Sequence, residues 1–177
     1  MFESLENIRE VYLSDEHLLK LQEFRCTDEQ IVENFLKEDA YNLMKRNLVR
    51  TRLFFDDNQN LIGFYSLFND TVKIQKQKRA MLEIYLPSSV KEIPAIRLHY
   101  LGVDERFRGK GFGSYLMTSV LYHCAKVAEI TGCSLITVEA TENAKSFYEK
   151  FGFTYICPIN RYYLMALSTK PLMEELN

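Results

Sequence analysis

The chain has 177 residues, 47% of them hydrophobic and 26% charged, with 22 Lys and Arg against 24 Asp and Glu for a formal net charge of −2. That is the length and balance of one globular domain with a single large core, so one domain over 1–177 is expected. A slightly acidic total lacks the global electrostatic signature of a nucleic-acid binder. No run approaches the roughly 18 apolar residues of a membrane span, and the acidic opening MFESLENIRE has no secretory pattern. Cys26, Cys124, Cys133 and Cys157 form no CxxC pair, and no histidine–cysteine–carboxylate cluster has metal-ligand spacing. The expectation is a cytoplasmic protein with reduced cysteines and no metal.

In chain order, hydrophobic periodicity predicts a strand over Ile8–Leu13 and a short helix over Asp15–Phe24. Asp28 is placed to cap a longer helix whose residues Val32, Leu36, Ala40 and Leu43 keep a three-to-four spacing. Arg52–Phe55 and Leu61–Phe68 read as aromatic strands around a hairpin loop at 56–60. Val72–Ile93 is the least regular stretch, with a strand predicted near Met81–Leu86. A strand over Ala95–Val103 leads into a glycine cluster and a helix from about Gly111 to Thr131, with Gly132 as its stop. Ser134–Ala140 is a strand, and Thr141 caps a helix to Phe151 that Gly152 ends. Phe153–Cys157 and Arg161–Leu167 close the sheet. A hairpin followed by alternating strands and helices implies a mixed sheet with helices on both faces.

The glycines carry the first chemical signal. Only 7 occur, and Gly102, Gly109, Gly111 and Gly113 fall between positions 102 and 113. Asp104–Gly113 reads DERFRGKGFG between a strand and a helix. Unhindered main-chain N–H groups backed by the positive end of a helix make an anion cradle suited to a pyrophosphate, and Arg106, Arg108 and Lys110 add positive charge at its mouth. A tight turn using glycine for geometry alone is the competing reading. The Walker A pattern fails because Gly111, not Ser or Thr, follows Lys110. The dinucleotide fingerprint fails because Ser114 stands at its third glycine and Glu129 falls inside a helix.

The spacing that fits is Arg-x-x-Gly-x-Gly, carried by Arg108, Gly111 and Gly113. With Leu101-Gly102-Val103-Asp104 before it, this segment resembles the acetyl-CoA-binding segment of the GCN5-related N-acetyltransferase (GNAT) superfamily. A second stretch, Glu139 to Phe153, resembles the family's downstream segment, where an Asn is followed five residues later by a Tyr and then by a Gly-Phe pair. The resemblance implies an α/β (α+β) GNAT fold: a mixed, mostly antiparallel central sheet, helices on both faces, and a splayed pair of strands at the acetyl-CoA site. It implies that Arg108, Gly109, Lys110, Gly111, Phe112 and Gly113 hold the CoA pyrophosphate. Leu101 and Val103 would offer backbone hydrogen bonds to the pantetheine arm, with Gly102 permitting a local bulge. Asn143 would bond the arm and Tyr148 would protonate the departing thiolate. A phenol with a pKa near 10 keeps its proton at neutral pH, so it can donate. A core aromatic is the competing reading of Tyr148, and a first-turn cap that of Asn143. Glu139 and His99 are the candidate general bases; an exposed strand-end carboxylate is the plainer reading of Glu139.

Leu61–Leu67, Ile93–Leu98 and the stretch from Phe24 to Thr51 further resemble a bacterial GNAT branch containing toxins that acetylate the free amine of aminoacyl-tRNA. Phosphate contacts require a basic surface, whereas this chain carries −2. The runs Lys45, Arg46, Arg50, Arg52 and Lys73, Lys76, Lys78, Arg79 read as solvated faces. The expected reaction is therefore direct acetyl transfer, in a ternary complex, to a primary amine of a small molecule or protein. An aminoacyl-tRNA acceptor is the alternative and a catalytically silent CoA-binding module the rival. No membrane partner is expected, and the family's dimers through C-terminal strands imply a homodimer.

Overall fold

The computed structural model describes residues 7–176; the first six residues of the opening segment lie outside them. Seven strands form one sheet in the order β1-β2-β3-β4-β5-β7-β6, with β1 Arg9–Tyr12, β2 Arg50–Phe55, β3 Leu61–Val72, β4 Ile93–Val103, β5 Leu135–Ala140, β6 Thr154–Ile159 and β7 Tyr162–Ser168. The sheet is mostly antiparallel, with β4–β5 the parallel pair, as expected for the GNAT fold. The chain divides into two compact units: residues up to Phe68 with His99–Val120, and Asn69–Leu98 with the chain from Leu121 on.

In the first unit, β2 buries side chains on both faces, as a strand's period of two requires. Leu53 and Phe55 join Leu21, Phe24, Phe35, Leu36, Ala40 and Phe64 in one core. That core is supplied by α1 (Leu18–Leu21), α2 (Gln30–Asn34) and α3 (Ala40–Lys45). Phe54, between them in sequence, packs against Tyr65 and against Tyr115 of α5 (Phe112–Ile130), with centroids 5.6 and 6.2 Å apart. Helices therefore cover both faces of this unit's strands. The helix expected to Phe24 is a 3-10 turn, Asp15–His17, followed by α1. The longer helix begins at Gln30 rather than after Asp28, with Glu29 at its cap position, because the Asp28 carboxylate is engaged elsewhere. A π-turn over Phe35–Asp39 joins α2 to α3. The wider turn accommodates Phe35, Leu36 and Ala40 together in the core.

In the second unit, β5 pairs with β7 and β7 with β6, both antiparallel. Val72, Ile74, Leu82, Ile93, Leu135, Ile156, Leu164 and Ala166 form its core. The strand expected near Met81–Leu86 is absent among the described residues. Lys76–Met81 is α4, and Glu83 follows at φ 55°, a left-handed conformation no strand interior tolerates. Alternately buried Leu82, Ile84 and Leu86 imitate a strand's period while packing as irregular chain. Gly152, at φ 85°, is the left-handed stop expected of it, but Gly132 does not take positive φ. The helix before Gly152 is shorter than expected: a 3-10 turn, Glu142–Ala144, then α6, Lys145–Glu149. Thr141 occupies its cap position without making the capping bond. A final helix, α7 (Lys170–Leu176), was not expected. Among the described residues, no helix is long and apolar enough to cross a membrane.

Candidate active site

The glycine segment leaves the end of β4 and enters α5. Its anchor is Asp104, fully buried, which caps the 3-10 turn Glu105–Phe107 by accepting from the Arg106 N–H. Its carboxylate also accepts from the Arg25 N–H at 3.0 Å and from Arg106 Nε and Nη2 at 2.7 and 3.1 Å. Burial alone would raise the Asp104 pKa, but the Arg106 bonds, with the backbone donors, hold it below the usual carboxylate range. The Asp104 N–H donates to Ile62 O of β3 at 2.8 Å, so loop and sheet are fixed to each other.

Beyond this anchor, Gly109 and Gly111 take φ of 72° and 87°. A Cβ on either would meet nothing within 4 Å, so the backbone conformation, rather than crowding, demands glycine. Phe112 is buried and meets Phe107 edge-on at 5.8 Å, which seats the start of α5. The Tyr115 N–H donates to Gly111 O; ahead of it, first-turn N–H groups find no carbonyl within the helix. Exposed loop glycines with open space around them, at the positive end of a 19-residue helix, fit a diphosphate. Among the described residues, no group of His, Cys, Asp and Glu could hold a metal ion.

The cations expected at the loop's mouth have partners. Arg106 pairs with Asp104; Arg108 donates to Asp28 Oδ2 at 2.6 Å, Cys26 Sγ at 3.0 Å and Val103 O at 3.2 Å; Lys110 Nζ donates to Arg106 O at 3.3 Å. Leu101, Gly102 and Val103 lie on β4 as expected. A Cβ on Gly102 would come within 2.7 Å of Val32 and 3.0 Å of Phe64, so close side-chain approach is what requires glycine there. Gly63, unremarked in the sequence, faces the same strand: its Cβ would lie 2.5 Å from Gly102 O. The parallel β4–β5 ladder covers Ala95–Leu98 against Leu135–Val138, and β4 runs on to Val103.

The first unit thus gathers Leu101, Gly102, Val103 and the segment Arg108–Gly113. The second holds Asn143 and Tyr148. Asn143 is exposed in the 3-10 turn before α6. Tyr148 is buried on α6, edge-on to Phe147 and Phe153 at 5.2 and 5.7 Å. Glu139 is bonded to Arg97, which also holds Asp70 at 2.7 Å. His99 sits in an aromatic box of Phe35, Phe68 and Tyr100, at centroid distances of 5.0, 5.3 and 4.3 Å. Sequence reasoning missed the supports of the loop, Asp104, Asp28 and Cys26. Only Asp104 left a signal, an acid directly after an apolar strand.

Residues 50–155 match the model of the acetyltransferase (GNAT) domain, a span that includes the glycine loop, Asn143 and Tyr148. A probable toxin TacT of Sinorhizobium fredii (strain NBRC 101917 / NGR234) is 27% identical over 131 residues, 69% of this chain and 71% of that protein. A tRNA-acetylating toxin of Mycobacterium tuberculosis (strain ATCC 25618 / H37Rv) is 32% identical over 108 residues, 60% of this chain and 62% of that one, so the match spans under two thirds of its length. Among solved structures, AtaT complexed with acetyl-methionyl-tRNAfMet superposes with a TM-score of 0.81 at 21% identity, over 97% of this chain and 100% of that one; this likeness speaks for the fold. The chain belongs to the GNAT family and is an acetyltransferase that uses acetyl-CoA.

Proposed function

We propose that this acetyltransferase acts on the free α-amine of an aminoacyl-tRNA. The observation that carries the reading is the 32% identity to a tRNA-acetylating toxin; a TacT relative and the fold of a tRNA-bound AtaT agree with it. It displaces the small-molecule or protein amine that net charge alone favoured. Acetyl-CoA, when bound, supplies an acetyl thioester whose carbonyl takes the amine as the carbon–sulfur bond breaks. The amides of Gly109 to Gly113 hold its diphosphate, with Arg108 and Lys110 beside them, and the backbone of Leu101 and Val103 and the Asn143 amide hold its arm. Tyr148 would give its phenolic proton to the leaving sulfur, and the proton shed by the acylated nitrogen would restore the phenol by way of water. The whole chain acts as one acetyltransferase domain.

Acceptor chemistry explains why no strong base is needed. An α-amine has a pKa near 8 against about 10.4 for a lysine side chain, so a sizeable fraction is already neutral at physiological pH. That suits a chain in which the candidate base Glu139 is held by Arg97. The test is purified enzyme with acetyl-CoA and charged tRNA, following loss of the free amine. Tyr148→Phe should lower turnover about 100-fold, the low end for a general acid, with acetyl-CoA affinity unchanged. Acetylation of alkylamines with charged tRNA left intact restores the small-amine reading. Acetyl-CoA binding without turnover on either acceptor refutes both in favour of a silent module.

A further inference from the structure

The turn ahead of α2 and the glycine segment are bonded to each other along their length. The Arg25 N–H donates to Asp104, the Glu105 N–H donates to Arg25 O at 3.0 Å, and Thr27 Oγ1 donates to Glu105 at 2.9 Å. Cys26 Sγ and Asp28 Oδ2 then receive the two ends of the Arg108 fork, while Arg108 Nε reaches Val103 O. One guanidinium therefore bridges the N-terminal turn, the last residue of β4 and the loop. The turn is itself held from below: the Cys26 N–H donates to the buried Glu33 carboxylate at 2.7 Å, and Lys37 Nζ pairs with the same group at 2.5 Å. The Arg108 bond is also what chiefly lowers the Asp28 pKa, so the pair is charged at neutral pH.

Two roles for Asp28 are chemically open. It could compete with a phosphate for Arg108, in which case binding must break the pair. Alternatively it could hold Arg108 so that the fork fixes the loop, leaving the remaining guanidinium N–H groups and the main-chain amides to receive the anion. The simultaneous bonds to Val103 O, Asp28 and Cys26 favour the second, since a planar fork with fixed donor directions is aimed by all three. We infer that Asp28 is a positioning residue of the cofactor site, acting through Arg108 to hold the end of β4 and the glycine loop in the conformation that accepts a diphosphate. This rests on the proposed reading of the loop as the diphosphate site.

The test is calorimetric titration with acetyl-CoA, alongside steady-state kinetics, of wild type, Asp28→Asn, Asp28→Glu, Arg108→Ala and the Asp28→Asn/Arg108→Ala double variant. Asp28→Asn should weaken acetyl-CoA binding about 5-fold, equivalent to ~1 kcal/mol and the upper end for a half-exposed ion pair. Turnover at saturating acetyl-CoA should stay within about 2-fold. Asp28→Glu should recover part of the affinity, and the double variant should bind no more weakly than Arg108→Ala alone. Affinity unchanged or tightened in Asp28→Asn overturns the inference, tightening being the mark of a competitor. A fall in turnover and melting temperature with unchanged affinity also overturns it, as a merely structural role. Wild type that fails to bind acetyl-CoA brings down the reading of the loop itself, a separate result.

Discussion

Replacing Asp104 by Asn tests the loop's anchor with little change of shape. Each carboxylate oxygen of Asp104 serves one backbone N–H and one guanidinium nitrogen: Oδ1 takes Arg106 N and Nε, Oδ2 takes Arg25 N and Arg106 Nη2. An amide keeps one oxygen, so one of the two backbone donors loses its acceptor and faces an NH2 group, at a cost of about 1–2 kcal/mol. The ion pair adds less, about 0.5–1 kcal/mol, because the Arg106 side chain is 47% exposed and recovers water. The total, about 1.5–3 kcal/mol, should lower the melting temperature by roughly 3–12 °C at pH 7 for a chain of this size. The pH dependence has a definite sign. A carboxyl whose folded pKa is depressed stabilises fully above its unfolded value, near 3.9, and loses that contribution as pH falls through the folded value. The gap between wild type and Asp104→Asn should therefore be constant from pH 8 to about 5 and shrink below it. The assay is thermal melting followed by circular dichroism across that range. A melting temperature within 1 °C or so of wild type at pH 7, or a gap as wide at pH 3 as at pH 7, refutes the reasoning.

Gly63→Ala places a Cβ 2.5 Å from Gly102 O and 2.9 Å from Leu116 Cδ2, and backbone on one side cannot yield cheaply. A loss of about 2–3 kcal/mol in urea unfolding is expected, and an unchanged midpoint would show that the strands separate freely. Gly111→Ala meets no neighbour, so its cost is the left-handed φ, about 1–2 kcal/mol. Acetyl-CoA affinity should fall with it, and undiminished affinity would argue against the loop amides as ligands. Lys45 and Arg46 are exposed at the end of α3. If they meet tRNA phosphates, reversing both to Glu should reduce the slope of log affinity against log salt by about 1–2, and an identical slope would exclude that face.

Strong local signals translated into structure, and shared or long-range ones did not. The strand–loop–helix unit around Gly109 and Gly111 was legible because left-handed φ leaves a sequence mark, glycine, at fixed spacing from Arg108. Gly152 was legible for the same reason, whereas Gly132 carries the same residue without needing the conformation. Met81–Leu86 misled because irregular chain with alternate residues buried has the same period as a strand; the helical Met81 and the φ of Glu83 separate them. Asp28 misled because an acid before a helix reads as a cap, while its real partner, Arg108, lies 80 positions away. No single-sequence pattern pairs those two.

Net charge is a blunt guide to the acceptor for a related reason. The glycine segment reads as carrying Arg106 and Arg108 as free cations, yet each is matched by a carboxylate of its own, Asp104 or Asp28. If the diphosphate reading holds, the anion is met largely by peptide N–H groups and a helix end, which contribute nothing to formal charge. A total of −2 therefore measures neither the affinity of the loop for a diphosphate nor the local field an RNA would meet at Lys45 and Arg46. An acidic acetyltransferase and an RNA substrate are incompatible only if charge is spread evenly, and the exposed Lys45 and Arg46 side by side at the end of α3 form a local basic run that the total does not report.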